Sequence, residues 1–323
     1  MTGFNLILLI PAALAVLLFA FITFAVLKRT HGSGLEPPDP RPAADGGKPA
    51  ERGLDNVRAQ PLLDRDAFHS WRLTERLLAN PDSAGGPLYR LRFTQDAPSS
   101  SWRAGAVARV YCGPAGNLDD PDSPADAPVG SYMIGSPAED GMLELVVRLV
   151  PLQAPQGGRR SRWLCESIQP GDEVRIAISD SADFLPPPAD VPLILIGNAT
   201  GIAGLHAQIK ARPAGSRNWL IFGDRNSADD QVLAAEITQW VSTGHLERCD
   251  LVFPGDGEEQ RLVTDQIEDA RMTVIDWALA GCAIYVCGSS LMGDDVHATL
   301  TAILGGDVLD AMAEAGLYKQ SVY

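Results

Sequence analysis

From Trp71 to about Ile178 the apolar residues come in short alternating runs, LYRLRFTQ, AVARVYCG, SYMIGSP, MLELVVRLV and DEVRIAIS, separated by Gly, Pro, Asp and Ser. Alternation with a period of two buries one face of a strand, so this half of the chain predicts an antiparallel β-barrel or a sandwich. The stretch Gly116 to Pro128 is polar and reads as a loop between two strands, and FLPPPAD, from Phe184 to Asp190, breaks the pattern and marks a boundary. Beyond it the texture changes. VPLILIG, NWLIFG, CDLVFPG and AIYVCG are apolar runs of buried-strand type, and they alternate with the helical stretches GIAGLHAQIKAR, DDQVLAAEITQWVSTG, RLVTDQIEDARMTVIDWALAG and a last one from about Gly293. Strand and helix in alternation predict an α/β doubly wound parallel sheet.

The N-terminal end has a third pattern. Phe4 to Leu27 carries no charge and is almost wholly apolar, long enough as a helix to cross a bilayer. A cleaved signal peptide is the rival, but the segment lacks a basic start and ends in Lys28-Arg29 without a small-residue cleavage pattern. Basic residues at the C-terminal flank alone predict a single-pass anchor in the inner (cytoplasmic) membrane with the soluble domains in the cytoplasm. Thr30 to Gln60 is rich in Pro, Gly, Ala and charge, as a disordered linker is. The expected organisation is therefore an anchor over 1–29, a linker over 30–60, and domains over 61–189 and 190–323.

Charge and cysteine usage narrow the chemistry. The chain's 323 residues include 26 basic and 41 acidic ones, and a net charge of −15 argues against a nucleic-acid partner. Five scattered cysteines without a CxxC pair, and five histidines without HExxH, suggest neither a disulfide framework nor a metal site. Chemistry is concentrated instead at Gly197-Asn198-Ala199-Thr200-Gly201-Ile202-Ala203-Gly204, between the first strand and first helix of the second half. A glycine-rich turn there lets backbone N–H groups approach a pyrophosphate, although a tight structural turn without a ligand has the same look.

The order of the other segments adds to this. IGNATGIAGL, NWLIFGDRN, AIYVCGSS with LMGDDV, and a C-terminal aromatic residue resemble the nucleotide domain of the ferredoxin–NADP reductase superfamily. Within it the resemblance is to the branch of the sulfite reductase flavoprotein subunit and its diflavin relatives, over about Trp71 to Tyr323. It implies an FAD-binding barrel followed by an NAD(P)-binding domain, with FAD and either NADPH or NADH as cofactors. Gly197, Thr200 and Gly201 match the pyrophosphate turn, and Ala199 stands where the family often has Gly. Cys287-Gly288 matches the pair near the nicotinamide, and Tyr323 the terminal aromatic that stacks on the flavin. Without that context Cys287 would pass equally for a small buried residue and Tyr323 for a frayed tail.

In the barrel, Gly130-Ser131-Tyr132-Met133 stands where the family has Arg-x-Tyr-Ser, so Tyr132 and Met133 fall at the isoalloxazine. Gly158-Arg159-Arg160-Ser161 matches the second flavin motif, with Gly158 and Ser161 kept; Arg159 or Arg160 could meet the pyrophosphate, or both could belong to a solvated loop. At the 2′-phosphate site the family's Ser, Arg, Lys and Tyr correspond to Pro254, Gly255, Gln260 and Leu262, with Asp256, Glu258 and Glu259 nearby and Arg225 and Arg261 as remaining cations. An acidic residue two before the terminal aromatic is replaced by Ser321.

The resemblance, together with the predicted anchor, gives the expectation of a membrane-anchored flavoprotein oxidoreductase. Electrons would pass from NAD(P)H through FAD to a separate acceptor, flavodoxin-like, haem or membrane protein. The competing expectation, drawn from the substitutions, is a degenerate non-catalytic homologue acting as a membrane-tethered binding or scaffold module.

Overall fold

The computed structural model describes residues 64–96, 101–113, 128–154, 158–179, 184–257 and 260–323. The first sheet holds β1 (His69–Leu78), β2 (Leu88–Thr94), β3 (Val107–Tyr111), β4 (Val129–Met133), β5 (Leu143–Arg148) and β6 (Glu173–Ser179), in the order β4-β3-β6-β1-β2-β5. Every neighbouring pair in it is antiparallel. Alternate residues such as Trp71, Leu73, Leu91, Phe93, Val110, Leu145 and Val174 point to one core. The sheet curls until its edges meet, where the Gly135 N–H donates to Glu144 O at 2.7 Å. Between β5 and β6 lies the short α1 (Arg159–Arg162), which runs into one π-helical turn over Trp163–Ser167.

The second sheet is parallel: β7 (Leu193–Asn198), β8 (Asn218–Gly223), β9 (Arg248–Val252), β10 (Ala283–Gly288) and β11 (Tyr318–Val322), in the order β11-β10-β7-β8-β9. Between these strands run α2 (Ile202–Lys210), α3 (Ala234–Ser242), α4 (Val263–Asp269), α5 (Arg271–Leu279), α6 (Ser290–Leu304) and α7 (Gly306–Glu314). Parallel strands need both faces covered, which is why β8 and β10 are buried at every position. Ile194, Ile196, Trp219, Ile221 and Val286 meet α4 to α7 on one side. On the other, Leu195, Leu220, Tyr285 and Cys287 meet α2, α3 and three residues of the first sheet, Leu88, Met133 and Val146.

Two helical expectations are refined. RLVTDQIEDARMTVIDWALAG is two helices rather than one, broken at Ala270, and the last helical region ends in α7, after which KQSVY turns back as the edge strand β11. The boundary segment is pinned to the second sheet, with the Tyr285 hydroxyl donating to Leu185 O at 2.6 Å and Arg212 donating to the carbonyls of Pro188, Ala189 and Val191.

The expected transmembrane component of the fold, and the inner-membrane localisation built on it, are corrected. Among the described residues no helix is long and apolar enough to cross a membrane. The longest, α6, has 15 residues; at 1.5 Å per residue that is about 22 Å against a hydrocarbon core of about 30 Å. It also carries Asp294 and Asp295. The segment Phe4 to Leu27, the linker and most of the Gly116 to Pro128 loop lie outside the described residues.

Candidate functional site

β7 sits between β10 on one side and β8 on the other, so the chain reverses direction across the sheet at the β7–β10 crevice. Ligands of open α/β sheets bind outside the carboxyl ends of the strands at such a point. Asn198 clasps the crevice: its Oδ1 accepts the Ser289 N–H at 2.9 Å and its Nδ2 donates to Ser289 Oγ at 3.1 Å. The Gly197–Gly201 turn is held by close contact with β10. A Cβ on Gly197 would lie 2.6 Å from Cys287 O, and one on Gly201 2.1 Å from the same atom. Ala199 has φ of 49°, a left-handed conformation that favours glycine. α2 follows directly on a 3-10 turn over Ala199–Gly201, which has no side-chain cap at Asn198 and whose Ala199 O takes the Ile202 N–H.

Two cavities open here. The larger, of about 740 Å³, extends from Asn198, Ala199 and Ser289 past Asp224 and Arg225 to Pro254, Gly255 and Gln260. The second, of about 630 Å³, lies between the sheets, bounded by Tyr132, Met133, Arg160 and Ser161 on one side and Thr200, Ser321 and Tyr323 on the other. Arg148, the last residue of β5, lines both. Its Nη1 donates to Gly85 O at 2.6 Å and Gly86 O at 3.0 Å, and its Nη2 lies 3.9 Å from Asp224 Oδ1.

The anticipated residues thus converge, each with a local reason. Tyr323 is 60% exposed, yet its hydroxyl shares a 2.6 Å hydrogen bond with Thr200 Oγ1 and its N–H donates to Gly288 O. The Tyr132 ring folds over Gly130, where a Cβ would come within 2.6 Å of it, so no larger side chain fits at that position without moving Tyr132. Met133 sends its thioether toward α2: its Cε lies 2.8 Å from where a Gly204 Cβ would be, and its Sδ accepts the Ser321 hydroxyl at 3.6 Å. Cys287 Sγ lies 3.1 Å from that same point, and burial pushes its thiol up to about 12, so it is a neutral packing surface rather than a thiolate. Gly288 has φ of 150° and abuts Asn198 Oδ1.

The second flavin motif is a self-contained turn. Ser161 Oγ accepts the Val150 N–H at 3.0 Å and donates to Gly158 O, and a Cβ on Gly158 would lie 1.9 Å from Val150 O. Arg160 lines the second cavity while donating to Val129 O at 2.8 Å. Arg225 lines the first, its stem packed on Gly85. Arg261 is turned away from it, paired with Asp269. Sequence alone does not single out Arg148 or Asp224. The signal for the first was a cation inside the apolar run VVRLV; the second stood in FGDRN beside the residue that drew notice. Burial holds the Asp224 carboxyl above the ordinary range, partly offset by Arg148.

No family model matches the chain. It is 31% identical over 193 residues to the sulfite reductase (NADPH) flavoprotein alpha-component of Mannheimia succiniciproducens, an alignment covering 55% of this chain and 32% of that protein. Over about half its length the chain is similar to the sulfite reductase flavoproteins. That of Bacillus subtilis is 28% identical over 216 residues, 61% of this chain and 36% of the relative, and that of Vibrio cholerae 31% over 181 residues, 51% and 30%. The chain spans about a third of the length of these flavoprotein relatives. They bear out the resemblance carried by the sequence motifs.

Proposed function

We propose that this chain is a flavoprotein oxidoreductase that takes electrons from a reduced nicotinamide dinucleotide through FAD and passes them to a separate acceptor protein, with residues 61–189 as the flavin domain and 190–323 as the dinucleotide domain. The carrying observation is the pair of adjoining cavities at the β7–β10 crevice, with Thr200 and Tyr323 on the wall of the second and Cys287 sealed behind it. The second cavity suits a planar ring system: Tyr132 and the exposed ring of Tyr323 flank it, and Val107, Val146 and Val147 supply apolar surface. A bound flavin supplies the redox chemistry, accepting a hydride and releasing single electrons.

The chain's own residues bind, orient and exclude water. Tyr132 and Tyr323 hold the ring system, and Arg160 is the cation for its phosphates. The turn of Gly197, Thr200 and Gly201 faces the dinucleotide pyrophosphate. Tyr323 must leave Thr200 to let the nicotinamide approach, and Cys287, Met133 and Ser321 form the dry wall behind it.

One observation favours a second reading, a nucleotide-binding module without hydride transfer: the Met133 thioether fills space between Gly204, Cys287 and Ser321. The visible spectrum of the purified protein, followed by anaerobic titration with NADH and NADPH, separates the two. An FAD spectrum that bleaches is expected; a protein that stays colourless after incubation with FAD would sink the oxidoreductase.

A further inference from the structure

The larger cavity has a charge balance that bears on which dinucleotide enters it; the argument rests on the dinucleotide reading above. Its cationic lining residues, among those described, are Arg148 and Arg225, and they are matched by Asp224 and Asp295. Both guanidiniums are already directed at the β1–β2 loop: Arg148 at Gly85 O and Gly86 O, Arg225 at Ala84 O at 3.4 Å. The far wall offers neutral Gln260 and Thr264. Beside it Asp256 accepts the Ser227 N–H at 2.9 Å, and Arg261 is held by Asp269 and Gln266.

Asp224 is the most constrained of these groups. Its side chain is 4% exposed, Oδ1 accepts the Arg225 N–H at 2.9 Å, and Oδ2 is buried without a hydrogen-bond partner. Asp224 follows directly on β8 and lines the cavity, where its carboxylate can accept from a hydroxyl and repels a phosphate. A pyrophosphate can be met by the backbone of the turn at Asn198 and Ala199 and by one guanidinium. A further phosphate on the adenosine ribose would bring up to two more negative charges into a cavity whose cations are spoken for.

We propose that this cavity takes a nicotinamide dinucleotide with a free adenosine 2′-hydroxyl, as in NADH, and that Asp224 is the specificity-determining residue that disfavours the 2′-phosphorylated form. The test is calorimetric titration of the full chain, at about 0.15 M salt, with adenosine 5′-phosphate and with adenosine 2′,5′-bisphosphate, which differ by the one phosphate. The expected result is binding at least about tenfold tighter for the monophosphate, with Asp224→Asn narrowing the gap by raising affinity for the bisphosphate. Equal or tighter binding of the bisphosphate by the unaltered protein overturns the specificity and leaves the dinucleotide cavity standing. Binding of neither compound overturns both. The comparison in the unaltered protein holds whether or not the variant folds.

Discussion

At the scale of single residues, two neighbours in the crevice turn answer opposite demands. Gly201 leaves no space for a side chain, since the nearest backbone oxygen, that of Cys287, would be 2.1 Å from a Cβ. Ala199 has the side chain but the wrong backbone, with φ of 49°. Gly201→Ala is therefore expected to destabilise the protein by about 1–3 kcal/mol as β10 is pushed aside. Ala199→Gly should stabilise it by up to about 1 kcal/mol, the relief of a left-handed conformation less the added entropy of the unfolded chain. Urea unfolding of both variants checks the signs, and a stabilising Gly201→Ala would contradict the packing account. The sequence showed where the turn lies, because IGNATG follows an apolar run and precedes a helix. It could not show that the glycines answer to Cys287, which lies more than eighty residues away in the chain and meets them only once β10 pairs with β7.

At the scale of elements, β11 is the most informative. KQSVY is short and polar, and its pairing is to β10 across two helices, so no local pattern announces a strand. The strand carries Tyr323 to the crevice, where the backbone bonds with Gly288 O and Ser290 N–H fix its main chain and Thr200 fixes its ring. The break between α4 and α5 was equally illegible, because the stretch around Ala270 has neither Gly nor Pro to mark it. The apolar strands β7, β8 and β10 were legible for the opposite reason: burial on both faces leaves a continuous hydrophobic run. Thr200→Val removes the hydroxyl at nearly constant volume. It should cost about 0.5–1.5 kcal/mol and speed amide exchange at Tyr323 and Ser290 with little change at Ile284. Unchanged exchange at all three would show that the strand, and not the phenol, holds the C-terminal end in place.

At the scale of the whole molecule, the two sheets are joined by polar groups that the alternation of β2 and β5 presented as an outward face. Arg90 and Glu144 are buried because the second sheet covers that face: Arg90 donates to Glu144 at 3.0 Å and reaches Glu236 of α3 at 2.9 Å, and Arg92 joins Glu144 at 2.8 Å. Which face a neighbour will cover is not a local property, so nothing in the sequence singles these residues out. Asn80 donates to Asp230 at 2.9 Å, and Lys210 pairs with Asp140, across the same junction. His206, on α2, bonds Gly135 O through Nδ1 and lies 5.3 Å from the Trp240 ring.

Acid should loosen this junction. Burial holds the His206 imidazole below its ordinary range, against the Gly135 carbonyl and Glu144. For Glu236 burial acts upward, but its own backbone N–H and Arg90 outweigh it and the carboxyl ends below its usual range. Both folded-state values lie under the unfolded ones. Their contributions are therefore complete above the unfolded pKa, about 6.5 for His and 4.3 for Glu, and are lost as pH falls through the folded values. Asp224, raised by burial, works the other way, contributing stability at low pH that is lost as pH rises through its folded pKa. The His206 effect begins highest on the scale, so Tm should fall as pH is lowered from about 7 to 5, ahead of any carboxylate. His206→Gln should be less stable at pH 7 and flatter in Tm across that interval. An equal slope in the variant would move the cause away from the imidazole, to the carboxylates that share the junction.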